Sequence, residues 1–211
     1  MPAPTSPSGI EMWFDFASPY SYLSLMRIQP LAARAGVQVS YQPFLLGPVF
    51  KAQGMNDTPF RLFPGRGAYL LRDVARRAER FGLPFKAPSE FPRNSLLAAR
   101  LALLARDEPW YVDFCKAVFR QNFVHDCDLQ APGTMAGVLQ ALGQPAESWI
   151  ARAGGQPAKD ALRQATDAAQ ARGVFGAPTF FVGQELFWGD DRLEDALQWA
   201  GAPGRAAGAA Q

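Results

Sequence analysis

The chain has 211 residues, of which 48% are hydrophobic and 19% charged, and its 21 Lys and Arg residues against 19 Asp and Glu residues give a formal net charge of +2. This composition is typical of a folded globular protein and excludes a disordered chain, and so small a net charge does not favour binding to nucleic acid or to an acidic membrane surface. Two cysteines and one histidine are too few for a disulfide framework, a zinc finger or a histidine-rich metal centre.

The two ends of the chain differ in composition from the rest. Residues 1–9 are rich in proline and small residues and lack the basic and apolar regions of a secretory signal. We expect a disordered lead-in over residues 1–9 and a flexible tail over residues 201–211. No apolar run is long enough to span a membrane, and unpaired cysteines favour a cytoplasmic protein.

The chain opens with a strand–helix–strand pattern. Residues 10–16 (I-E-M-W-F-D-F) form a short segment rich in aromatic side chains, which predicts a buried strand. Ser18 suits a helix N-cap and Pro19 the first helical position, so a helix is predicted from there to about Arg34, ending at Gly36. Residues 37–43 alternate between apolar and polar side chains and predict a second strand. We expect the two strands to be parallel and their connection right-handed.

The middle of the chain is predicted to be helical after one long loop. Residues 47–64 contain glycines and prolines without a clear period, which favours a surface loop. Helical patterns then follow over residues 66–81, 93–106, 109–122, 132–142, 145–153 and 156–173. The sequence H-D-C-D at 125–128 is interpreted as a polar loop between helices, because no second cluster completes a metal site.

The end of the chain returns to β structure. Residues 179–182 and 185–188 predict a hairpin around Gly183-Gln184, followed by a last helix from Asp190 or Asp191 to about Ala200. This order predicts an α/β protein with a thioredoxin-like fold and an inserted all-helical domain. Residues 10–64 and 173–200 would form the thioredoxin-like domain and residues 65–172 the inserted helical domain.

The first chemical motif lies at the start of the first helix. Thioredoxin-like proteins place C-x-x-C there, and this chain has Ser18-Pro19-Tyr20-Ser21. Without those sulfurs the turn cannot perform thiol–disulfide exchange with its own residues. A hydroxyl at a helix N-terminus can still stabilise an anion, and a thiolate there must come from a cofactor such as glutathione. The alternative is that Ser18 only caps the helix and Ser21 is an ordinary helical residue.

The second motif precedes the late strand. In thioredoxin-like folds a proline at the place of Pro178 is cis and faces the reactive helix end. Ala177 would then offer its backbone to an extended thiol peptide, as an added strand does. The alternative is an ordinary trans proline that opens a strand.

Four segments together are typical of one family. They are F-D-F-A-S-P-Y-S-Y-L, F-L-L-G-P-V-F-K-A-Q-G, F-P-R-N-S-L-L-A-A-R and G-V-F-G-A-P-T-F-F-V-G-Q-E-L-F-W-G-D-D-R-L. Over nearly the whole chain the sequence resembles the 2-hydroxychromene-2-carboxylate isomerase family, within the DsbA-like thioredoxin superfamily and related to kappa-class glutathione transferases.

The resemblance implies glutathione as cofactor and a role for several residues. Ser18 would hydrogen-bond the glutathione sulfur, and Ala177 with cis Pro178 would bind the cysteinyl backbone. The γ-glutamyl end would be held by Trp188, Gly189, Asp190 and Asp191, and the choice between the two aspartates stays open. Lys51 would reach the glycine carboxylate of glutathione or an acidic substrate, and Asn56, Arg93 and Asn94 would contact substrate.

The resemblance also implies an activity. The leading hypothesis is a glutathione-dependent isomerase of a 2-hydroxychromene-2-carboxylate-like aromatic acid, acting by reversible thiolate addition and ring opening. The alternatives are a kappa-like glutathione transferase that conjugates electrophiles and a non-catalytic thioredoxin-like binding module. A cytoplasmic homodimer in aromatic compound catabolism, needing no metal, would accompany the leading hypothesis.

Overall fold

The computed structural model describes residues 9–201. The predicted lead-in and tail lie outside these residues, except that Gly9 begins the first strand and Gly201 ends the last helix. Within the described range, no helix combines the length and the apolar character needed to cross a membrane.

Four strands form one mixed sheet in the order β2-β1-β3-β4. They are β1 (Gly9–Phe14), β2 (Gln38–Pro43), β3 (Thr179–Val182) and β4 (Glu185–Trp188). The parallel pairing of β1 with β2 and the β3–β4 hairpin confirm the prediction. Strand β1 also pairs with β3, in antiparallel orientation. Because β1 has a neighbour on both sides and helices cover the sheet, Ile10, Met12 and Phe14 are fully buried.

Helix α1 (Pro19–Ala35) begins and ends as the sequence predicts. The Ser18 side chain accepts a hydrogen bond from the Ser21 N–H, and Pro19 occupies the first turn. Gly36 adopts φ 66°, and its N–H bonds carbonyl groups of the last turn. A residue with a Cβ is strained at this φ, which explains why the helix ends at a glycine.

The prediction of a single loop over residues 47–64 was wrong. This segment contains most of α2 (Leu46–Ala52) and all of the short helix α3 (Pro59–Leu62). The loop was predicted from glycines and prolines without a clear period, but Pro48 lies in the first turn of α2 and Pro59 begins α3. A first-turn residue needs no intrahelical N–H bond, so proline is compatible with both positions.

The six helical patterns of the middle region are all confirmed. They form α4 (Pro64–Arg80), α5 (Leu96–Leu104), α6 (Tyr111–Phe123), α7 (Pro132–Ala141), α8 (Ala146–Gly154) and α9 (Gln156–Ala171). Helix α5 begins at Leu96, three residues later than expected, after an irregular segment that contains a cis Phe91–Pro92 peptide bond. After β4 a 3-10 turn (Asp190–Arg192) leads into α10 (Leu193–Gly201).

A continuous aromatic core joins the sheet to the helical segment. Phe16 lies 5.2 Å from Phe14 and 4.9 Å from Phe119 of α6, measured between ring centroids. Tyr22 of α1 and Phe123 of α6 belong to the same buried cluster. Truncation of one such phenylalanine to alanine costs about 3–5 kcal/mol. The predicted thioredoxin-like domain and the predicted helical insertion (residues 65–172) share this aromatic core. Their division into two domains stays a prediction.

Candidate active site

A cavity of about 900 Å³ lies at the carboxyl end of β1. It is enclosed by the start of α1, by α2 and α3, by residues 90–96 and by the loop before β3. Of the predicted site residues it is lined by Ser18, Ala177, Trp188, Arg93 and Asn94. Ligand-binding cavities are typically about 300–1,000 Å³, so this cavity is large enough for a cofactor together with a second small molecule.

Ser18 links the two predicted motifs. Its Oγ accepts a hydrogen bond from the Ser21 N–H at 3.2 Å and donates one to the Ala177 carbonyl at 2.9 Å. The Ser18 residue is 5% exposed and has extended backbone angles, as an N-cap requires. The hydroxyl therefore lies at the positive end of α1 and against the backbone of residue 177 at the same time.

The Ala177–Pro178 peptide bond is cis, as predicted. The surrounding loop is fixed by two further hydrogen bonds: Thr179 Oγ1 donates to the Gly176 carbonyl at 2.9 Å, and the Gly189 N–H donates to the Pro178 carbonyl at 2.9 Å. The backbone of Ala177 is thus presented to the cavity beside Ser18.

Neither cysteine lines the cavity. Cys115 lies in α6 and is 1% exposed, and burial raises the pKa of its thiol well above the ordinary value. Cys127 follows α6 in the loop before α7, where its Sγ approaches the His125 carbonyl. The cavity beside Ser18 therefore has no thiol from the described residues.

The structure separates the two candidate aspartates after β4. Asp190 is 1% exposed, and its carboxylate accepts from Ser24 Oγ at 2.9 Å, from Arg27 at 3.2 Å and from Arg77 Nε at 2.8 Å. Asp191 is exposed and pairs with Arg192. Neither lines the cavity. Asp190 anchors the turn to α1 and α4, and Asp191 is the member of the pair whose carboxylate is open to a ligand.

Lys51 and Asn56 lie in a second cavity of about 350 Å³. This smaller cavity shares Gly47, Phe50 and Thr58 with the main cavity, so the two adjoin. Both predicted residues are exposed at its wall. A ligand in the main cavity would have to extend past Phe50 or Thr58 to meet them.

Arg93 lines the main cavity but is already bonded to protein groups. It is 6% exposed, and its terminal nitrogens donate to Asn122, Ser89 and Asp126. The bond from Arg93 is the largest cause that lowers the pKa of the Asp126 carboxyl. Arg93 thus fixes the irregular segment before α5 to the loop after α6. The predicted substrate contact would have to use the Arg93 Nε–H, which has no acceptor among the described residues, or displace one of these acceptors, whereas Asn94 beside it is exposed.

Asp15 is a site residue that the sequence reasoning missed. Its carboxylate lines the cavity, is 3% exposed and accepts from the Ala17 N–H at 2.9 Å, the Leu46 N–H at 2.8 Å and Ser95 Oγ at 2.7 Å. Burial raises the pKa of Asp15, and the three hydrogen bonds oppose that shift. One carboxylate therefore joins the turn before Ser18, the start of α2 and the residue before α5. The available signal was a carboxylate inside the strand predicted over residues 10–16; the structure ends β1 at Phe14, so Asp15 follows the strand.

Tyr20 was also missed as a cavity residue. Its hydroxyl donates to Asp73 Oδ2 of α4 at 2.8 Å. Burial, followed by this contact with Asp73, raises the pKa of the phenol. Tyr20 therefore stays protonated in the neutral pH range, with its proton committed to Asp73.

Comparison with known proteins gives consistent matches over most of the chain. Residues 9–198 match the family model described as DSBA-like thioredoxin domain. A 2-hydroxychromene-2-carboxylate isomerase from Sphingobium xenophagum is 29% identical over 185 residues, which are 88% of this chain and 94% of that protein. A glutathione S-transferase kappa 2 from Caenorhabditis elegans is 23% identical, with 92% of each chain covered.

The similarity extends to three dimensions. A solved structure of a 2-hydroxychromene-2-carboxylate isomerase superposes with a TM-score of 0.81 at 29% identity, covering 88% of this chain and 90% of that one. This likeness, together with the match over residues 9–198, confirms the predicted α/β thioredoxin-like fold.

Proposed function

This chain belongs to the family of DSBA-like thioredoxin domains, and we propose that it is a glutathione-dependent isomerase of 2-hydroxychromene-2-carboxylate-like aromatic acids. The observation that supports this most strongly is the Ser18 hydroxyl, which lies at the N-terminus of α1 against the residue before a cis proline. The similarity to isomerases supports the reaction class.

The residues beside Ser18 fit a thiol peptide. A peptide that pairs with Ala177 in the manner of an added strand places its cysteinyl side chain towards the start of α1. Ser18 Oγ can donate a hydrogen bond to an ionised sulfur, and the helix dipole favours negative charge at the same place. Because the described part of the chain brings no thiol there, glutathione would supply the thiolate that adds reversibly to the aromatic acid, allowing ring opening and isomerisation.

The Ser18 hydroxyl must change its partner for this role. Its proton now points to the Ala177 carbonyl at 2.9 Å. A bound peptide N–H would donate to that carbonyl instead, and Ser18 Oγ–H could then turn towards the sulfur. Ser18 keeps its bond from the Ser21 N–H during this exchange, so the oxygen stays in place while only the proton moves.

The other predicted residues are assigned to the two ends of glutathione and to the substrate. We propose that Asp191 and the backbone around Gly189 bind the γ-glutamyl end, because Asp190 is turned to Arg27 and Arg77. Lys51 supplies a positive charge for a carboxylate of the cofactor or of the substrate. Asn94 lines the main cavity, where it can hydrogen-bond the aromatic acid.

The second candidate function is a kappa-like glutathione transferase, which the similarity to the Caenorhabditis elegans protein favours. The two activities share the cofactor site and differ in the product. An isomerase releases glutathione unchanged, whereas a transferase leaves it attached to the electrophile as a thioether. A binding module would bind glutathione and form neither product.

The test combines binding and product analysis. Calorimetric titration with glutathione should show saturable binding to the wild-type protein, and weaker binding to an Asp191→Ala variant. Chromatography of 2-hydroxychromene-2-carboxylate incubated with the protein should show its isomer only when glutathione is present. Turnover that does not depend on glutathione would refute the proposal, and a thioether product would favour the transferase.

We also propose a cytoplasmic homodimer that serves aromatic compound catabolism. The support is the family resemblance and the unpaired state of both cysteines. Light scattering of the purified protein tests the dimer, since a monomer mass at assay concentration would contradict it.

A further inference from the structure

Two exposed aromatic side chains contact each other in the lining of the main cavity. Of the large hydrophobic residues in the range 9–201, five are exposed, and two of these are Phe175 at 44% and Trp188 at 53%. Their ring centroids are 4.9 Å apart with an interplanar angle of 61°, and both rings line the cavity. Scattered exposed aromatics need no explanation, but a packed pair beside a cavity is typical of a binding surface.

Gly176 leaves the space that the indole of Trp188 occupies. A Cβ atom at residue 176 would be 2.3 Å from Trp188 Nε1 and 3.0 Å from Cε2. Gly176 does not have a positive φ, so the backbone itself does not require glycine there. The missing side chain is therefore explained by the close approach of Trp188 to the loop that precedes the cis proline.

The loop under this aromatic pair is held from several sides. Gln53 Nε2, just after α2, donates to the Phe175 carbonyl at 3.1 Å, and Thr179 Oγ1 donates to the Gly176 carbonyl at 2.9 Å. The Trp188 indole N–H, by contrast, has no acceptor among residues 9–201. The pair thus offers a fixed apolar face and one free donor, next to the Ala177 backbone.

We propose that Phe175 and Trp188 form an aromatic subsite for the ring system of a fused-ring aromatic acid, so that Trp188 contacts the substrate instead of the γ-glutamyl end of glutathione, and that Gly176 determines specificity by leaving room for the indole. This subsite would bind the ring system of the substrate class proposed above, so the inference rests on the proposed function. A planar ring offset against the indole face would pack beside the Phe175–Trp188 pair, whose rings already contact each other, while its carboxylate points away from them towards the polar cavity wall.

The test uses naphthalene-2-carboxylate as probe and the fluorescence of the protein as readout. Titration of the wild type, with and without saturating glutathione, should give saturable quenching. Trp188→Phe should lose most of the quenching and keep the affinity within about threefold, because an aromatic ring remains. Trp188→Ala should weaken binding about tenfold, as measured by calorimetry.

The Gly176→Ala variant tests whether the position of the Trp188 indole determines the affinity for the probe. The added methyl displaces Trp188, so the variant should lose about tenfold in probe affinity. The double variant Gly176→Ala with Trp188→Ala should lose no more than Trp188→Ala alone, because the two changes remove one interaction. Tyr69→Ala is the matched control, since Tyr69 is an exposed aromatic residue that does not line the cavity and should leave probe affinity unchanged.

The outcomes distinguish this inference from the proposed function. Unchanged probe affinity in Trp188→Ala and Gly176→Ala, with glutathione still binding, overturns the subsite and leaves the proposed function standing. If the wild type binds no glutathione but the variants lose probe affinity as expected, the subsite stands and the cofactor assignment fails. Additive losses in the double variant would also overturn the inference. Circular dichroism melting of each variant shows whether it remains folded.

Discussion

Replacing Ser18 by alanine tests the proposed thiolate site at a single atom. A hydrogen bond to a charged group contributes about 1.5–3 kcal/mol. One pKa unit corresponds to about 1.4 kcal/mol. Loss of the proposed hydrogen bond from Ser18 Oγ to the sulfur of bound glutathione should therefore raise the pKa of that thiol by about 1–2 units. A free thiol has a pKa of about 8.5, which leaves only a few per cent of thiolate at pH 7.

The consequence is a pH-dependent loss of activity. At pH 7 and saturating glutathione, Ser18→Ala should lower kcat about 5- to 30-fold, because most of the bound thiol is then protonated. A higher pKa of the bound thiol lowers the thiolate fraction at low pH. It has no effect at a pH well above the pKa of the bound thiol in both wild type and Ser18→Ala. The two profiles of kcat against pH should therefore converge at high pH.

Ser21→Ala is the control within the same motif. Ser21 Oγ is buried and has no hydrogen-bond partner among the described residues, so its removal should leave the profile unchanged. Ser18 is also the N-cap of α1, and its loss should cost about 1 kcal/mol of stability, measured by urea unfolding. Parallel profiles with the same midpoint in wild type and Ser18→Ala would refute the reasoning.

Three further predictions concern other residues in and around the site. Asp15→Asn introduces an amide N–H₂ among three hydrogen-bond donors and should lower the free energy of unfolding by about 1–3 kcal/mol, whereas unchanged urea unfolding would contradict this. Asp126→Asn removes a carboxylate whose pKa is lowered, and such a group stabilises the fold above its ordinary pKa of about 3.9. The variant should therefore melt at a lower temperature than wild type at pH 7, and the difference should shrink as the pH falls below about 4; an equal difference at both pH values would contradict the ion pair. Lys51→Ala should raise KM about tenfold for either glutathione or the aromatic acid and leave the other unchanged, and steady-state kinetics that show no change in either KM would exclude Lys51 from the site.

The elements with strong local signals could be predicted from the sequence. Ser18, Pro19 and Gly36 mark the ends of α1 by the chemistry of helix caps, and the structure agrees at both ends. The cis peptide bond before Pro178 was also expected. That expectation came from the fold, because thioredoxin-like proteins have a cis proline at this place, facing the reactive end of the first helix. Propensity alone favours a trans bond.

The elements that depend on distant partners could not be predicted. Helix α2 has no side-chain cap of its own, and the Asp15 carboxylate binds its first N–H from 31 residues earlier in the chain. Local patterns do not report such a contact, so the segment was interpreted as a loop. The same limit applies to Asp190, whose burial depends on Arg27 and Arg77 in two other helices.

The most direct test of the central claim is the ionisation of glutathione bound to the protein. Ultraviolet difference absorbance of the complex, followed against pH, reports the thiolate without any substrate. The account predicts a midpoint well below the pKa of about 8.5 of a free thiol, and a return towards that value in Ser18→Ala. A bound thiol that titrates like free glutathione in the wild type would contradict the assignment of Ser18.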